Sequence, residues 1–269
     1  MTVNNLKCIE RYRQGRTKWL NVVQGGVNPA DISAWWDAVK WFRYGGWAMA
    51  GSAGAKGGLY LMLRTLLEMR DEKAFDAGQD WVHVLGGATP TLSVMLTAIQ
   101  TALRRENANM TVSFDTSSPF MVGGRFEKVD VPPTYTSDAK SWTIKTVLAP
   151  QSRLDVESPD LVPSPLALSP IGHHLTLGHL SVRDGVFQER QYDNLSNAIL
   201  AHHNTWVHVD AFERANDAVL RQDAAMIPEA YSDAIEVIAD VFQCENWSDA
   251  LDAFKKILDA VAPNTYLKK

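Results

Sequence analysis

The chain has 269 residues, 46% hydrophobic, 21% charged and 9% aromatic, enough to bury a core in one ordinary domain or two small ones, which excludes disorder as the main state. A formal net charge of −5 argues against a generally basic nucleic-acid binder but leaves room for a nucleic-acid enzyme with a local basic surface. With only Cys8 and Cys244, a disulfide framework and a four-cysteine zinc site are excluded and the reducing cytoplasm is expected; no apolar run approaches about 18 residues, so neither a membrane span nor a secretory signal is expected.

Residues 1–125 repeat one pattern: a short apolar strand, a glycine-containing loop and an amphipathic helix. Strands are expected at 19–23, 47–50, 81–85 and 111–114, spaced roughly thirty residues apart as in βα units of a parallel sheet. Asn28 is placed to cap a helix with Pro29 at its first position, closed by Gly45, and Thr89 with Pro90 repeats that logic after the third strand. Within the first of these helices Ile32, Trp35, Trp36, Val39 and Phe42 form a core-facing stripe. The basic residues Arg11, Arg13, Arg16 and Lys18 read as a solvated helix surface or a phosphate-contacting face. From 126 to 190 prolines cluster among short alternating runs such as 142–148 and 175–182, which predicts extended strands and long loops. The region 191–269 is helical, with segments at 192–222, 228–242 and 248–261.

The carboxyl ends of parallel strands are where ligands bind in α/β barrels and open sheets. Here the four ends carry Gln24-Gly25-Gly26, then Gly51-Ser52-Ala53-Gly54, then Gly86-Gly87-Ala88, and finally Asp115 before Thr116-Ser117-Ser118-Pro119. Glycines let a flat ligand approach the backbone, and Gln24 offers a donor and an acceptor to the edge of a purine-like base. Taken singly, each has an ordinary structural explanation as a turn, and Asp115 as an Asx-turn or cap. Four such ends in succession mark a site. No Gly-x-x-x-x-Gly-Lys-Ser/Thr or Gly-x-Gly-x-x-Gly loop is present, and neither cysteine lies in a thiol-nucleophile signature. The loop acids Asp130, Asp138 and Asp155 receive no role from the sequence.

The order of these segments, Val22-Val23-Gln24-Gly25-Gly26, Trp47-Ala48-Met49-Ala50-Gly51, His83-Val84-Leu85-Gly86-Gly87-Ala88-Thr89-Pro90 and Ser113-Phe114-Asp115, resembles the second half of the barrel of the tRNA-guanine transglycosylase (queuine tRNA-ribosyltransferase) family. His203-Asn204, followed by Ala211-Phe212-Glu213-Arg214-Ala215-Asn216, is similar to the family's late His-Asn helix, so the resemblance spans most of residues 10–222. It implies a partial (β/α) barrel of the TIM type with an irregular strand-and-loop insertion and C-terminal helices. It also implies exchange of guanine in a nucleic acid for a 7-deazaguanine (preQ0-like) base. By position Asp115 matches the aspartate nucleophile that forms a covalent glycosyl-enzyme; Gln24 and Gly25 match base-edge positions, Gly51 a backbone contact, and Leu85 the apolar residue stacked on the base. The target base must leave its stack to reach such a pocket.

The sequence departs from the family's pattern in three respects. It begins just before the family's fifth strand, so a second subunit or a second copy is expected to complete the barrel, the alternative being a reorganised chain. The family's zinc site uses three closely spaced cysteines and a histidine; His203 stands at the histidine's position without the cysteines, so no zinc cofactor is expected, the alternative being a histidine set of His173, His174, His179 and His203. Tested against the family's Pro-Thr-Arg, the loop after Asp115 reads Thr116-Ser117-Ser118-Pro119-Phe120-Met121, with Arg125 as its first basic residue, which favours DNA over tRNA. A non-catalytic transglycosylase-like subunit that binds a partner barrel half or nucleic acid is the competing expectation.

Overall fold

A computed structural model describes residues 2–12, 15–51, 57–76, 78–139, 141–149, 165–175, 180 and 192–261. In chain order the elements are α1 (Thr2–Tyr12), β1 (Asn21–Val23), α2 (Pro29–Val39), β2 (Trp47–Met49), α3 (Gly58–Asp71), β3 (Trp81–Val84), α4 (Pro90–Leu103) and β4 (Thr111–Phe114). They continue as α5 (Ser118–Phe120) with a π-helical turn (Met121–Arg125), β5 (Lys128–Val131), β6 (Lys145–Leu148), and 3-10 turns at Leu166–Leu168 and Gly172–His174. The last four are α6 (Asn194–Leu220), α7 (Glu229–Val241), α8 (Trp247–Ala253) and α9 (Lys255–Val261). Two compact units result, Met1–Asp115 with Ile227–Lys269, and Thr116–Met226. The helical stretch 191–269 is therefore shared: α6 belongs to the second unit and α7 to α9 to the first.

In the first unit the expected βα repeats form a mixed α/β layer whose four strands pair in parallel in the order β1-β2-β3-β4. Assigned strands are shorter than the sequence suggested at three of the four positions, yet ladder-type bonds run past their ends. Gly45 N–H donates to Trp19 O at 2.8 Å and Ala50 N–H to Val23 O at 2.9 Å. Both capping expectations hold: Asn28 Oδ1 accepts from Ala30 N–H and Thr89 Oγ1 from Leu92 N–H, each at 3.1 Å, with a proline opening each helix. Helix α2 ends at Val39 rather than near Gly45, because the buried Asn21 amide donates to Val39 O and Phe42 O and satisfies carbonyls that a longer helix would have used.

One sheet face, comprising Asn21, Val23, Trp47, Met49, Val82 and Val84, is buried. The Trp36 ring of α2 meets Trp47 edge-on at 4.9 Å, and Trp47 Nε1 donates to Ala74 O just beyond α3. The opposite face is less covered: Val22, Trp81, His83 and Ser113 are half-buried and only Ala48 is buried. Helix α7 packs on α4, where the Thr91 and Tyr231 hydroxyls meet, and α9 packs on α3. The expected helix 248–261 divides at Phe254; Ile257 N–H bonds to Phe254 O, an i to i+3 step that breaks the α-helical ladder without glycine or proline.

The second unit is built on the antiparallel β5–β6 pair, α6, and a core of Val129, Ala149, Leu166, Leu180, Tyr192 and Leu200. The strand expected over 142–148 begins only at Lys145, and most of the run expected over 175–182 lies outside the described residues. Among the described residues no helix is long and apolar enough to cross a membrane.

Candidate functional site

The parallel register brings the four strand ends into line. Ala50 N–H donates to Val23 O, Leu85 N–H to Met49 O at 2.9 Å, and Asp115 N–H to Val84 O at 3.3 Å, so Gln24, Gly51, Leu85 and Asp115 stand one residue beyond paired positions or next to them. All four are exposed, and Gly25 is half-buried. Gly51 and Gly86 take the left-handed conformation (φ +86° and +74°), which glycine alone adopts without strain and which turns the chain away from the strand.

Asp115 is the one carboxylate at these ends. Gly86 N–H donates to its Oδ1 at 2.9 Å, while no hydrogen bond reaches Oδ2 among the described residues. The Nε2 atom of His83 lies 3.7 Å from the same Oδ1, an ion-pair distance rather than a hydrogen bond. Behind it, His83 Nδ1 is 2.8 Å from Ser113 Oγ, which also accepts from Trp81 Nε1–H at 2.7 Å. The sequence reading missed His83, Ser113 and Trp81. Their signal was the alternation Trp81-x-His83 and Ser113-x-Asp115, which puts each pair on one face of its strand, but only the register His83↔Ser113 joins them.

Gly25 has a structural requirement of its own. A Cβ there would sit 2.5 Å from Ile32 Cα and 2.7 Å from Ile32 N, so the first turn of α2 packs directly on this glycine. Gly25→Ala is expected to destabilise the protein by about 1–3 kcal/mol, the usual cost of overpacking against backbone, read as a lower urea midpoint.

His203, the weak candidate for a metal ligand, is fully buried; its Nε2 donates to Asp130 O at 3.0 Å, and the lone pair that this leaves on Nδ1 lies 2.7 Å from Ser169 Oγ, so both ring nitrogens have protein partners. His173 and His174 are exposed on a 3-10 turn, and His179 lies outside the described residues. Among the described residues no group of three or more metal-ligating side chains occurs. The neighbouring Asn204 staples the same region: Oδ1 accepts from Asp130 N–H, and Nδ2 donates to Lys128 O and Pro119 O. Asp130, a loop acid in the sequence, is buried in β5; Oδ1 accepts from Thr146 Oγ1 at 2.7 Å and Oδ2 lies 3.1 Å from His208 Nε2. Asp138 is exposed, and Asp155 lies outside the described residues.

Burial holds His203 below the ordinary histidine value, against the opposing pull of the Asp130 carbonyl and charge. The unfolded chain, titrating near about 6.5, then binds a proton that the folded protein refuses. This contribution to stability is complete above that pH and is lost progressively as pH falls toward the folded value. The urea midpoint is expected to drop between about pH 7 and pH 5, less steeply in His203→Gln.

Of the basic residues read near the start, Arg11 and Arg16 are exposed, Arg13 lies outside the described residues, and Lys18 pairs with Asp80. A separate cleft of about 310 Å³ in the second unit is lined by Arg125, Phe126, Glu127, Lys128 and Leu148; the carboxylate between the two basic residues offsets any attraction for an anion. No protein-family model matches the sequence, and no curated protein matches it significantly. Fold and site together define a mixed α/β protein with one carboxylate presented at the carboxyl end of a parallel sheet.

Proposed function

We propose that the chain carries the base-exchange half of a guanine transglycosylase, an enzyme or catalytic subunit that replaces guanine in DNA, or less favourably tRNA, by a 7-deazaguanine base of the preQ0 type. The observation that carries this reading is Asp115 at the end of β4, one carboxylate oxygen tied to Gly86 N–H and the other without a hydrogen bond from the described residues. In the reaction, an Oδ2 lone pair forms a bond to the anomeric carbon while the bond from that carbon to guanine N9 breaks. The electron pair leaves with guanine, which takes up a proton from solvent. The incoming base then loses its N9 proton, attacks the same carbon and frees the carboxylate, with net retention. Gln24 and the backbone at Gly25 and Gly51 would read the base edge, and Leu85 would pack on its face.

The sheet is read as the second half of a TIM-type (β/α) barrel. Chain-order strand pairing supports this, since a doubly wound sheet would reverse direction, as does the contrast between one buried and one half-covered face. On this reading a second subunit or copy pairs with the edge strands β1 and β4 and closes over Trp81, His83 and Ser113. The two free cysteines suit action in the cytoplasm.

The test is incorporation of a labelled 7-deazaguanine, or release of labelled guanine, with duplex DNA, single-stranded DNA and tRNA as separate substrates. Failure with all three, by the chain together with its co-purifying partners, would reject the reading. A non-catalytic nucleic-acid-binding subunit is the second reading, favoured by the 58% exposure of the Asp115 side chain; it predicts nucleic-acid binding without exchange.

A further inference from the structure

The half-covered sheet face holds a chain of polar contacts that ends at Asp115, and the direction of its first hydrogen bond is fixed by chemistry. An indole N–H can only donate, so Ser113 Oγ is the acceptor of the 2.7 Å contact from Trp81. The single hydroxyl hydrogen of Ser113 is then free for its other partner, His83 Nδ1 at 2.8 Å. A neutral His83 whose Nδ1 accepts carries its proton on Nε2, the nitrogen that faces Asp115 Oδ1 at 3.7 Å. Gly86 N–H already donates to that same oxygen. In that tautomer two N–H groups face Oδ1 and, among the described residues, none faces Oδ2.

We propose that His83 is the positioning residue of Asp115, locked as the Nε2–H tautomer by Ser113 and Trp81, so that Oδ1 is held and Oδ2 is the attacking oxygen. The role assigned to Oδ2 rests on the transglycosylase reading, whereas the tautomer lock does not. A neutral imidazole orients the carboxylate without the full positive charge that would blunt its nucleophilicity. Protonation of His83 requires the Ser113 hydroxyl to turn away from Nδ1, because the imidazolium donates from both nitrogens. The titratable and charged groups facing this histidine are few. Asp115 approaches from the end of β4, Lys18 stands 6.0 Å over the far Trp81 ring and pairs with Asp80, and the β2 residue in register is Ala48.

The deciding experiment is made on the free protein. Long-range 1H–15N correlation of histidine-labelled chain is expected to report His83 as the Nε2–H tautomer, and Ser113→Ala to shift the tautomer ratio toward Nδ1–H by about fivefold, the value of one net hydrogen bond. If Ser113→Ala does not fold, Trp81→Phe, which releases the Ser113 hydroxyl, gives the same reading. The Asp115 13Cγ signal is expected to shift in His83→Phe, which removes the donor, and to stay near its wild-type position in His83→Gln, which keeps one. An Nδ1–H tautomer in the wild type, or an Asp115 signal indifferent to His83, overturns the proposal. Where exchange is measurable, His83→Ala is expected to lower kcat more than it changes KM, and His83→Gln, which keeps a donor toward Asp115, to recover part of the loss. Absence of exchange in the wild type counts against the transglycosylase reading alone, since the resonance measurements still decide the lock.

Discussion

Asp115→Asn is expected to abolish the covalent adduct with guanine-containing nucleic acid in denaturing gels and to lower base exchange to about a thousandth of the wild-type rate or less, on the proposed reaction. The amide keeps the acceptor oxygen that Gly86 N–H holds at 2.9 Å, so the loop after β3 stays in place. What it loses is the second anionic oxygen. Because the side chain is more than half exposed, the unfolding midpoint is expected to change little. An adduct that persists in Asp115→Asn would move the nucleophile elsewhere, whereas loss of exchange with loss of the fold would not bear on the chemistry; a denaturation curve beside the gel separates the two.

Asp130→Ala is expected to cost on the order of 3 kcal/mol of stability, read by urea denaturation. The carboxylate is almost wholly buried in β5 and takes hydrogen bonds from Thr146 and His208; its removal deletes both and leaves a buried imidazole facing a void. Among the described residues His208 Nδ1 has no hydrogen-bond partner, so the ring would keep only its edge-on contact with Phe212. Asp130→Asn keeps an oxygen for Thr146 and presents an N–H to His208, which accepts it by changing tautomer, and is expected to cost roughly half as much. Equal losses in the two variants would mean that the buried charge, rather than the pairing, carries the stability.

The sequence held local information and lacked pairing information. Asn28-Pro29 and Thr89-Pro90 announce their helices because a cap bonds within three residues, so nothing distant decides it. Of the stripe Ile32, Trp35, Trp36, Val39 and Phe42, helical periodicity places the first four on α2, with Trp35 only half-buried, whereas Phe42 is buried beyond the end of that helix. Asp130 shows the opposite case: in sequence it is an acid among turns and prolines, and its burial follows from Thr146 and from His208, 78 residues away. The surroundings of His203 were hidden for a related reason. Its position in a His-Asn pair suggested a ligand, but Ser169 and the Asp130 carbonyl, both distant in sequence, occupy its two nitrogens.

By itself, then, the sequence determined the alternation of strands and helices through residue 114, the helix starts, and the placement of glycines, Gln24 and Asp115 at strand ends, since caps, periodicity and turn chemistry act over a few residues. Only the tertiary structure decided the register of these parallel strands, that the stretch 191–269 is shared between two units, and that Trp81, Ser113 and His83 line up behind Asp115. The reason is register: hydrogen bonds between strands join residues about thirty positions apart, and a shift of one residue would send His83 and Ser113 to the opposite face from their partners.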